Sequence, residues 1–521
     1  MLTSLVHLSR NLHAGFVLAR EGALALVDPG ALPPPARAVL RLARWIERPG
    51  LGDGRGRLSA ALTRLGPSYV KFGQFLATRP DIVGVAAARD LERLQDRMPA
   101  FARAEAAAMV ESALGRPLAT LFVEFGEPVA AASIAQVHKA RIAGPDGERV
   151  VAVKVMRPGV RARFARDLQA MRYAARLFER FAPDARRLRP REVVETLARS
   201  VAMEMDLRLE AAAVSELAEN TREDPDFRVP GPIWDLTARD VLTTEWVDAI
   251  RLSDIEAIDA AGHDRVALAR NLVQSFLRHA IRDGFFHADM HPGNLFVDAE
   301  GRLVAVDFGI MGRLGLKERR FLAEILLGFI RRDYRRVAEV HFAAGYVPPH
   351  HSVEDFAQAI RAIGEPIHDR RAHEISMAKL LTLLFEVTAL FDMTTRTELV
   401  MLQKTMVVVE GVGRTLDPEL DMWGIAEPVV RPWVERNLGP IGQIEAAGRG
   451  LRTLGDVMAD LPDLALRTER LLGKLEEAAD QGFSLSGASV EAIGRAEARR
   501  NRWSAAALWV IAAAFVLMLL A

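Results

Sequence analysis

Apolar positions in the first hundred or so residues recur at helical spacing. They predict a helical extension over 1–50, broken at Pro33-Pro34-Pro35, and further helices over 58–115. Near residue 121 the period changes. Two β-type runs flank Gly144-Pro145-Asp146-Gly147, a turn cluster, so AAASIAQVHKARIAGPDGERVVAVKVMRP reads as a hairpin. In its second strand Val151, Val153 and Val155 share one face, and Ala152, Lys154 and Met156 the other. Helical pattern returns over 162–222, then Val229-Pro230-Gly231-Pro232 punctuates the chain ahead of a short β run at 240–248. VALARNLVQSFLRHAIRDG aligns Leu268, Leu272, Phe276 and Ala280 and stops at Gly284. Short β segments follow at Asn294–Val297 and Leu303–Val306, with a turn at Ala299-Glu300-Gly301. From 316 to about 480 the pattern is helical again. Residues 439–450 and 479–490 read as linkers, and there are no repeats.

The two ends differ in kind. MLTSLVHLSRNLHAGFVLAREG is interrupted by His7, Arg10, His13 and Arg20, which suits an amphipathic helix better than a signal peptide, with packing on the next domain favoured over contact with a membrane. Trp503 to Ala521 is a run of nineteen residues without a charge. As a helix it rises roughly 28 Å, about the hydrocarbon thickness of a bilayer. Arg495, Arg499, Arg500 and Arg502 precede it, so the sequence predicts a C-terminal transmembrane helix with the basic flank on the cytoplasmic side.

Composition narrows the chemistry. At 521 residues the chain exceeds one compact domain. Its 68 basic and 68 acidic residues balance, which gives nucleic acid no basic footprint. With no cysteine, thiolate nucleophiles, disulfides and Cys-ligated metal centres are excluded.

The informative stretch is GFFHADMHPGNLFVDAEGRLVAVDFG, Gly284 to Gly309. Asn294 follows Asp289 by five residues, and Asp307 of Asp307-Phe308-Gly309 follows it by eighteen. Phosphoryl transfer needs a carboxylate beside the acceptor and oxygen ligands that hold Mg²⁺ against the phosphates. Asp289 suits the first role, and Asn294 with Asp307 the second. Val151-Ala152-Val153-Lys154 matches the strand motif whose lysine reaches the nucleotide phosphates and pairs with a helix glutamate. His287 and His291 lie in the loop and read as structural rather than as metal ligands, and His350-His351 after Pro348-Pro349 reads as a solvated loop.

These motifs resemble the UbiB family of atypical protein-kinase-like proteins over about 58–425. LGPSYVKFGQFLATRPDIV holds Lys71, Gly73 and Gln74 in a K-x-G-Q motif. Ala130, Ala131, Ala132, Ser133, Ile134, Ala135, Gln136 and Val137 form the alanine-rich loop that stands where other kinases have glycines. MEMDLRLEA gives Glu204 and Asp206 of an E-x-D motif, with Glu210 at the place of the helix glutamate, and EGVGRTLDPELD from Glu410 resembles a helical C-terminal stretch. The resemblance implies an α+β, protein-kinase-like two-lobed fold with ATP and Mg²⁺ as cofactors. It divides the chain into an N-terminal helical extension (1–115), an N-lobe (116–248), a C-lobe (249–440), a helical linker (441–502) and a transmembrane anchor (503–521). It implies that Lys71 meets Glu204 or Asp206 over the active site, that Gln74 lies near the nucleotide, and that the hinge around Glu245 and Val247 holds adenine.

Alanines at 130–135 narrow backbone freedom over the phosphates. Only about a dozen residues separate Gly309 from the helical run at 321–330, no A-P-E motif follows, and Ala288 replaces the usual arginine before the catalytic aspartate. A protein substrate therefore lacks its usual docking platform. The implied function is a membrane-anchored ATPase supporting ubiquinone biosynthesis at the bacterial inner membrane. Its implied partners are polyprenylphenol quinone precursors, membrane lipid and the biosynthetic enzymes, and a homo-oligomer is compatible with the sequence. The competing readings are a true protein or small-molecule kinase and a nucleotide-binding membrane scaffold.

Overall fold

The computed structural model describes residues 2–23, 45–48, 56–77, 83–91, 93–94, 98–145, 147–181, 189–368, 387, 390–393 and 397–438. The predicted span at 503–521 and both predicted linkers lie outside them. Among the described residues no helix is long and apolar enough to cross a membrane. The chain divides into two units, Met1–Glu435 and Arg436–Ala521, and the elements below belong to the first, apart from the last turn of the final helix.

The N-terminal helices are α1 (Leu2–Arg20), α2 (Arg57–Leu65), α3 (Pro67–Ala77) and α4 (Val85–Leu91). Gly66 alone separates α2 from α3; its φ of 101° suits glycine, and Pro67 starts the next helix without losing a needed N–H. Next come α5 (Arg103–Leu114), α6 (Leu118–Leu121), β1 (Glu124–Ala131), β2 (Ala135–Gly144) and β3 (Gly147–Met156). Helices α7 (Val160–Phe181), α8 (Pro190–Glu204) and α9 (Leu207–Asn220) lead to β4 (Phe227–Arg228), β5 (Val241–Glu245) and β6 (Ile250–Arg251). The remaining elements are α10 (Ile255–Ala260), α11 (Arg265–Leu277), β7 (Phe285–His287), β8 (Leu295–Val297), β9 (Leu303–Ala305), β10 (Met311–Arg313), α12 (Leu316–Ile330), α13 (Tyr334–Ala343), α14 (Val353–His368), α15 (Thr397–Leu416) and α16 (Met422–Leu438).

The predicted hairpin forms as β2 and β3, in register from Ala135↔Met156 to Gly144↔Gly147. It joins an antiparallel sheet in the order β1-β2-β3-β5. Strand alternation separates two cores. Val151, Val153 and Val155 are buried with Phe125 and with Ala106 and Val110 of α5. Helix α5, read from sequence as part of the extension, is thus a cover of this sheet. Met156 and Leu242 pack with Phe164, Leu197 and Leu207 of α7–α9, and Tyr69, Phe72 and Phe75 of α3 lie against that cluster. Helix α1 packs on α7, with Asn11 Nδ2 donating to Ala170 O at 3.1 Å and Arg10 paired to Asp167 at 3.1 Å, as the amphipathic reading expected.

The second sheet runs β4-β9-β8-β6, with β4 parallel to β9 and the other pairs antiparallel. Leu268, Leu272 and Phe276 of α11 share its core with Val409, Val412 and Leu416 of α15. Two details escape the hydrophobic pattern. Arg278–Asp283 winds as a π-helical turn at the end of α11, and β7 pairs with β10 in a three-residue ribbon that no intervening turn announces. Helix α12 begins at Leu316, where the helical pattern resumes in the sequence.

Gly312 of β10 exists to admit a ring. A Cβ there would stand 2.1 Å from Phe286 Cζ, and Phe286 is fully buried. Gly312→Ala should lower stability by about 1–3 kcal/mol through overpacking, read as a reduced thermal midpoint. An unchanged midpoint would show that the ribbon can give way.

Candidate active site

Lys154 lies on β3 between the buried Val153 and Val155, so its side chain leaves the sheet on the opposite face. Its Nζ donates to Glu210 Oε1 and Oε2 at 2.7 and 3.0 Å and to Asp307 Oδ1 at 2.8 Å. Glu210 sits in the first turn of α9, where the helix dipole favours a carboxylate. Burial alone would push the lysine towards its neutral form. Asp307 and Glu210 outweigh it, and the pKa rises. The Lys154 charge, opposed by burial, holds Asp307 down at about 2, and the Lys71 ammonium acts in the same direction. Burial pushes the Glu210 carboxyl up against the pull of Lys154.

Asp307 adopts a left-handed φ of 63°, a strained conformation for a residue other than glycine. Its surroundings hold it there. The Val306 N–H donates to Asn294 O at 2.9 Å, the Ala288 N–H donates to Ile310 O at 3.1 Å, and Phe308 is buried 5.2 Å from the His287 ring.

His287 is wholly buried and ties the two segments together. Its Nδ1 accepts from the Asp289 N–H at 3.0 Å, which leaves the proton on Nε2 to be donated to Val306 O at 3.2 Å. Burial pushes its pKa below the ordinary histidine value. His291 Nδ1 accepts from the Gly293 N–H at 3.0 Å and shapes the turn Pro292–Asn294. Both histidines therefore serve the loop's structure. Asn294 Nδ2 donates to Asp289 O and Oδ2 at 3.1 and 3.2 Å, so its carbonyl oxygen is turned away from that carboxylate.

Lys71 Nζ pairs with Glu204 Oε2 at 2.7 Å, both side chains 13 % exposed. Asp206 makes no such contact. It is the N-cap of α9, accepting from the Arg208 N–H and pairing with the Arg208 guanidinium. Of the two acids left open by the sequence, Glu204 meets the lysine and Asp206 starts the helix that carries Glu210. Gln74 is half-buried one turn beyond Lys71 on α3. Gly73 lets that helix approach its neighbours, since a Cβ there would stand 2.3 Å from Leu94 Cδ1 and 2.6 Å from Leu62 Cδ1.

Ala130 and Ala131 end β1, Ala135, Gln136 and Val137 open β2, and the Ala132 N–H closes the turn on Ala135 O at 2.8 Å. Ser133 and Ile134 are buried in it. The Gln136 side chain faces away from any nucleotide: its amide bonds both to the N–H and to the C=O of Phe101, at 2.9 and 3.1 Å, and to the His138 ring at 2.8 Å. The Gln136 backbone pairs with Val155 in the sheet. At the end of β5 the Glu245 carboxylate pairs with Arg228 at 3.1 Å, and the Trp246 N–H donates to Val150 O at 3.3 Å. Among the described residues no hydrogen bond occupies the Val247 N–H.

One residue that the sequence did not single out is Thr405, buried on α15. Its Oγ1 stands 2.9 Å from Ala288 O and 2.9 Å from Met401 O, so a distant helix holds the backbone just before Asp289. A threonine inside a helix carries no motif, and only the fold reveals the contact.

The lysine–glutamate pair, the aspartate–asparagine loop and the adjoining Asp307 are the motif set of a kinase-like fold. The ABC1 atypical kinase-like domain matches residues 93–341, and the UbiB helical domain matches residues 360–421. A relative from Marinobacter nauticus named Probable protein kinase UbiB is 40% identical over 467 residues, covering 88% of this chain and 85% of its own. One of the same name from Aeromonas hydrophila is 39% identical over 474 residues, covering 90% and 86%. A solved structure of Rv3197 with erythromycin from Mycobacterium tuberculosis aligns with a TM-score of 0.47 at 24% identity, over 76% of this chain and 97% of that one. The chain belongs to the UbiB family of atypical kinase-like proteins.

Thr405→Val keeps the shape and leaves Ala288 O without its donor. It should cost about 1–2 kcal/mol of stability and slow turnover with little change in nucleotide affinity. Equal turnover in the variant would remove Thr405 from the positioning of the loop.

A pH effect also follows. His138, His279 and His287 are buried, and burial pushes each pKa below its ordinary value. The unfolded chain takes up protons near pH 6.5, roughly, that the folded chain refuses. Stability should be full above that value and fall as pH drops towards the depressed folded values, by up to about 1.4 kcal/mol per unit for each histidine. Thermal melts stepped from about pH 7 to about pH 5 check this, and a flat profile contradicts it.

Proposed function

We propose that this chain is a membrane-anchored, ATP- and Mg²⁺-dependent ATPase that supports ubiquinone biosynthesis, at the steps that modify polyprenylphenol precursors. The observation that carries the proposal is the Lys154 ammonium held jointly by Glu210 and Asp307, beside a loop in which Asn294 is bonded to Asp289. The pathway rests on the name shared by the relatives.

Lys154 is the group for the α- and β-phosphates, and Glu210 keeps it charged and aimed. The Val247 N–H and the backbone at Glu245 suit the adenine edge, and the turn 130–137 covers the phosphates. Asn294 Oδ1 and the half-exposed Asp307 carboxylate are hard oxygen donors that fit Mg²⁺. When bound, Mg²⁺ supplies charge neutralisation on the phosphates and fixes their alignment. Asp289 orients the attacking water and takes its proton. Lys71 lies close enough to influence Asp307 electrostatically, and its pairing with Glu204 keeps α3 beside the site. A passage of only Ile310–Gly315 between Gly309 and α12 leaves little chain for a protein-substrate platform, which favours hydrolysis over protein phosphorylation. Residues 503–521, with their basic flank, serve as the anchor that brings the site to lipid-borne phenols.

ATP hydrolysis by the protein in liposomes tests the reading, with and without a phenolic quinone-precursor analogue. Turnover should rise with the analogue and fall on the order of 100-fold or more in Asp307→Asn. Turnover equal in the two proteins, or none despite bound Mg²⁺–ATP, would overturn it.

A further inference from the structure

We propose that His350, His351 and Asp392 form a binding site for a divalent transition-metal ion of the Zn²⁺ class, separate from the nucleotide site. Two short segments far apart in sequence build it. One is the loop between α13 and α14, and the other is the turn at residues 390–393, ahead of α15. His351 Nε2 stands 3.4 Å and His350 Nε2 3.7 Å from Asp392 Oδ2, and the donor atoms of all three lie within 4.8 Å of one another. In a tetrahedral zinc site with bonds of about 2.0–2.1 Å, neighbouring donor atoms stand roughly 3.3–3.5 Å apart. The two imidazole–carboxylate spacings are at or near that value, and the two imidazoles, whose donor atoms lie within 4.8 Å, would close on the ion.

The site is held from behind on both sides. The His351 ring packs 5.2 Å from Phe391, which is buried with Phe356, Tyr334 and Val337 in the core beneath. The backbone of the loop turns through the His351 N–H donating to Pro348 O at 3.2 Å, after two prolines that restrict the approach. Asp392 follows the buried Phe391 directly and takes a left-handed φ of 47°. That conformation is uncommon outside glycine and costs free energy, and it delivers the carboxylate to the two imidazoles. The adjacent His350 and His351 rings, 4.2 Å apart, both aim at the same oxygen.

The donor set selects the ion. Two imidazoles and one carboxylate are a borderline-to-hard set that suits Zn²⁺ and its first-row neighbours, and Mg²⁺ prefers oxygen alone. Water completes the coordination, since Asp392 and His350 face solvent. A bound ion would pin the loop after α13 to the segment that leads into α15, across the forty residues between His351 and Asp392. It would act as a staple for the helical layer.

The test uses the full chain stripped with chelator and titrated with Zn²⁺ by calorimetry, alongside Asp392→Asn, His351→Gln and Asp307→Asn. The last variant accounts for any Zn²⁺ taken by the nucleotide site. One equivalent should bind to the wild type and to Asp307→Asn. Changes outside the ligand shell alone cost roughly 10–100-fold in affinity, so Asp392→Asn and His351→Gln should each lose at least about tenfold. Co²⁺ substitution gives a readout that needs no variant: visible d–d bands of a four- or five-coordinate ion should appear, without a thiolate charge-transfer band, since the chain has no cysteine. Unaltered Zn²⁺ binding in Asp392→Asn and His351→Gln, or binding abolished by Asp307→Asn alone, would overturn the site.

Discussion

The structure depends on one buried cation. Lys154 carries a full charge between β3, α9 and the loop after β9, and water is largely excluded from it. Such a charge is tolerated only where opposite charge and hydrogen bonds replace solvent. Two carboxylates do so, one from α9 and one from the loop after β9. Much of the surrounding architecture serves to bring those three groups together. The valines at 151, 153 and 155 fix which face of β3 the lysine leaves. Asp206 starts α9 at the point that places Glu210 one turn in. Burial of Phe308 draws the preceding Asp307 inward, against the preference of its own backbone.

A second level of support acts on the loop that carries Asp289 and Asn294. It is made almost wholly of backbone polar groups, which fold irregularly and need partners. His287 supplies two, one through each ring nitrogen, and can do so only while neutral. Its burial therefore has a chemical purpose, because a protonated ring would lose the bond from the Asp289 N–H. Thr405 supplies another from α15. The helical layer is thus mechanically part of the site, although none of its residues belongs to the nucleotide motifs.

The legibility of this arrangement in the sequence follows the same division. Lys154, Glu210, Asp289, Asn294 and Asp307 stand in motifs because their chemistry fixes residue type and spacing. The hairpin was visible because its turn residues and alternation are strong local signals. What failed to show was everything decided by tertiary contact. Gln136 looks like a loop residue of the phosphate turn, yet its amide completes the backbone of Phe101. Asp206 looks like half of an acidic pair, yet it is a cap. The π-helical turn at 278–283 keeps the helical pattern of apolar residues, and the β7–β10 ribbon pairs residues far apart in sequence with no turn between them to announce it, unlike β8 and β9 on either side of Ala299-Glu300-Gly301.

Lys71 shows how far a local rule can carry a functional arrangement. Its ammonium must reach Glu204 at the end of α8, and α3 must therefore lie tight against its neighbours. Two residues along, any side chain larger than hydrogen would collide with Leu62 and Leu94. The glycine of K-x-G-Q is then explained by packing and the lysine by charge, and the two requirements act on one turn of one helix. If α3 moved outward by the width of a methyl group, the Lys71–Glu204 pair would open and the Lys71 charge would withdraw from Asp307. The position of this helix and the electrostatics of Asp307 are in that sense a single variable, set by the absence of one Cβ.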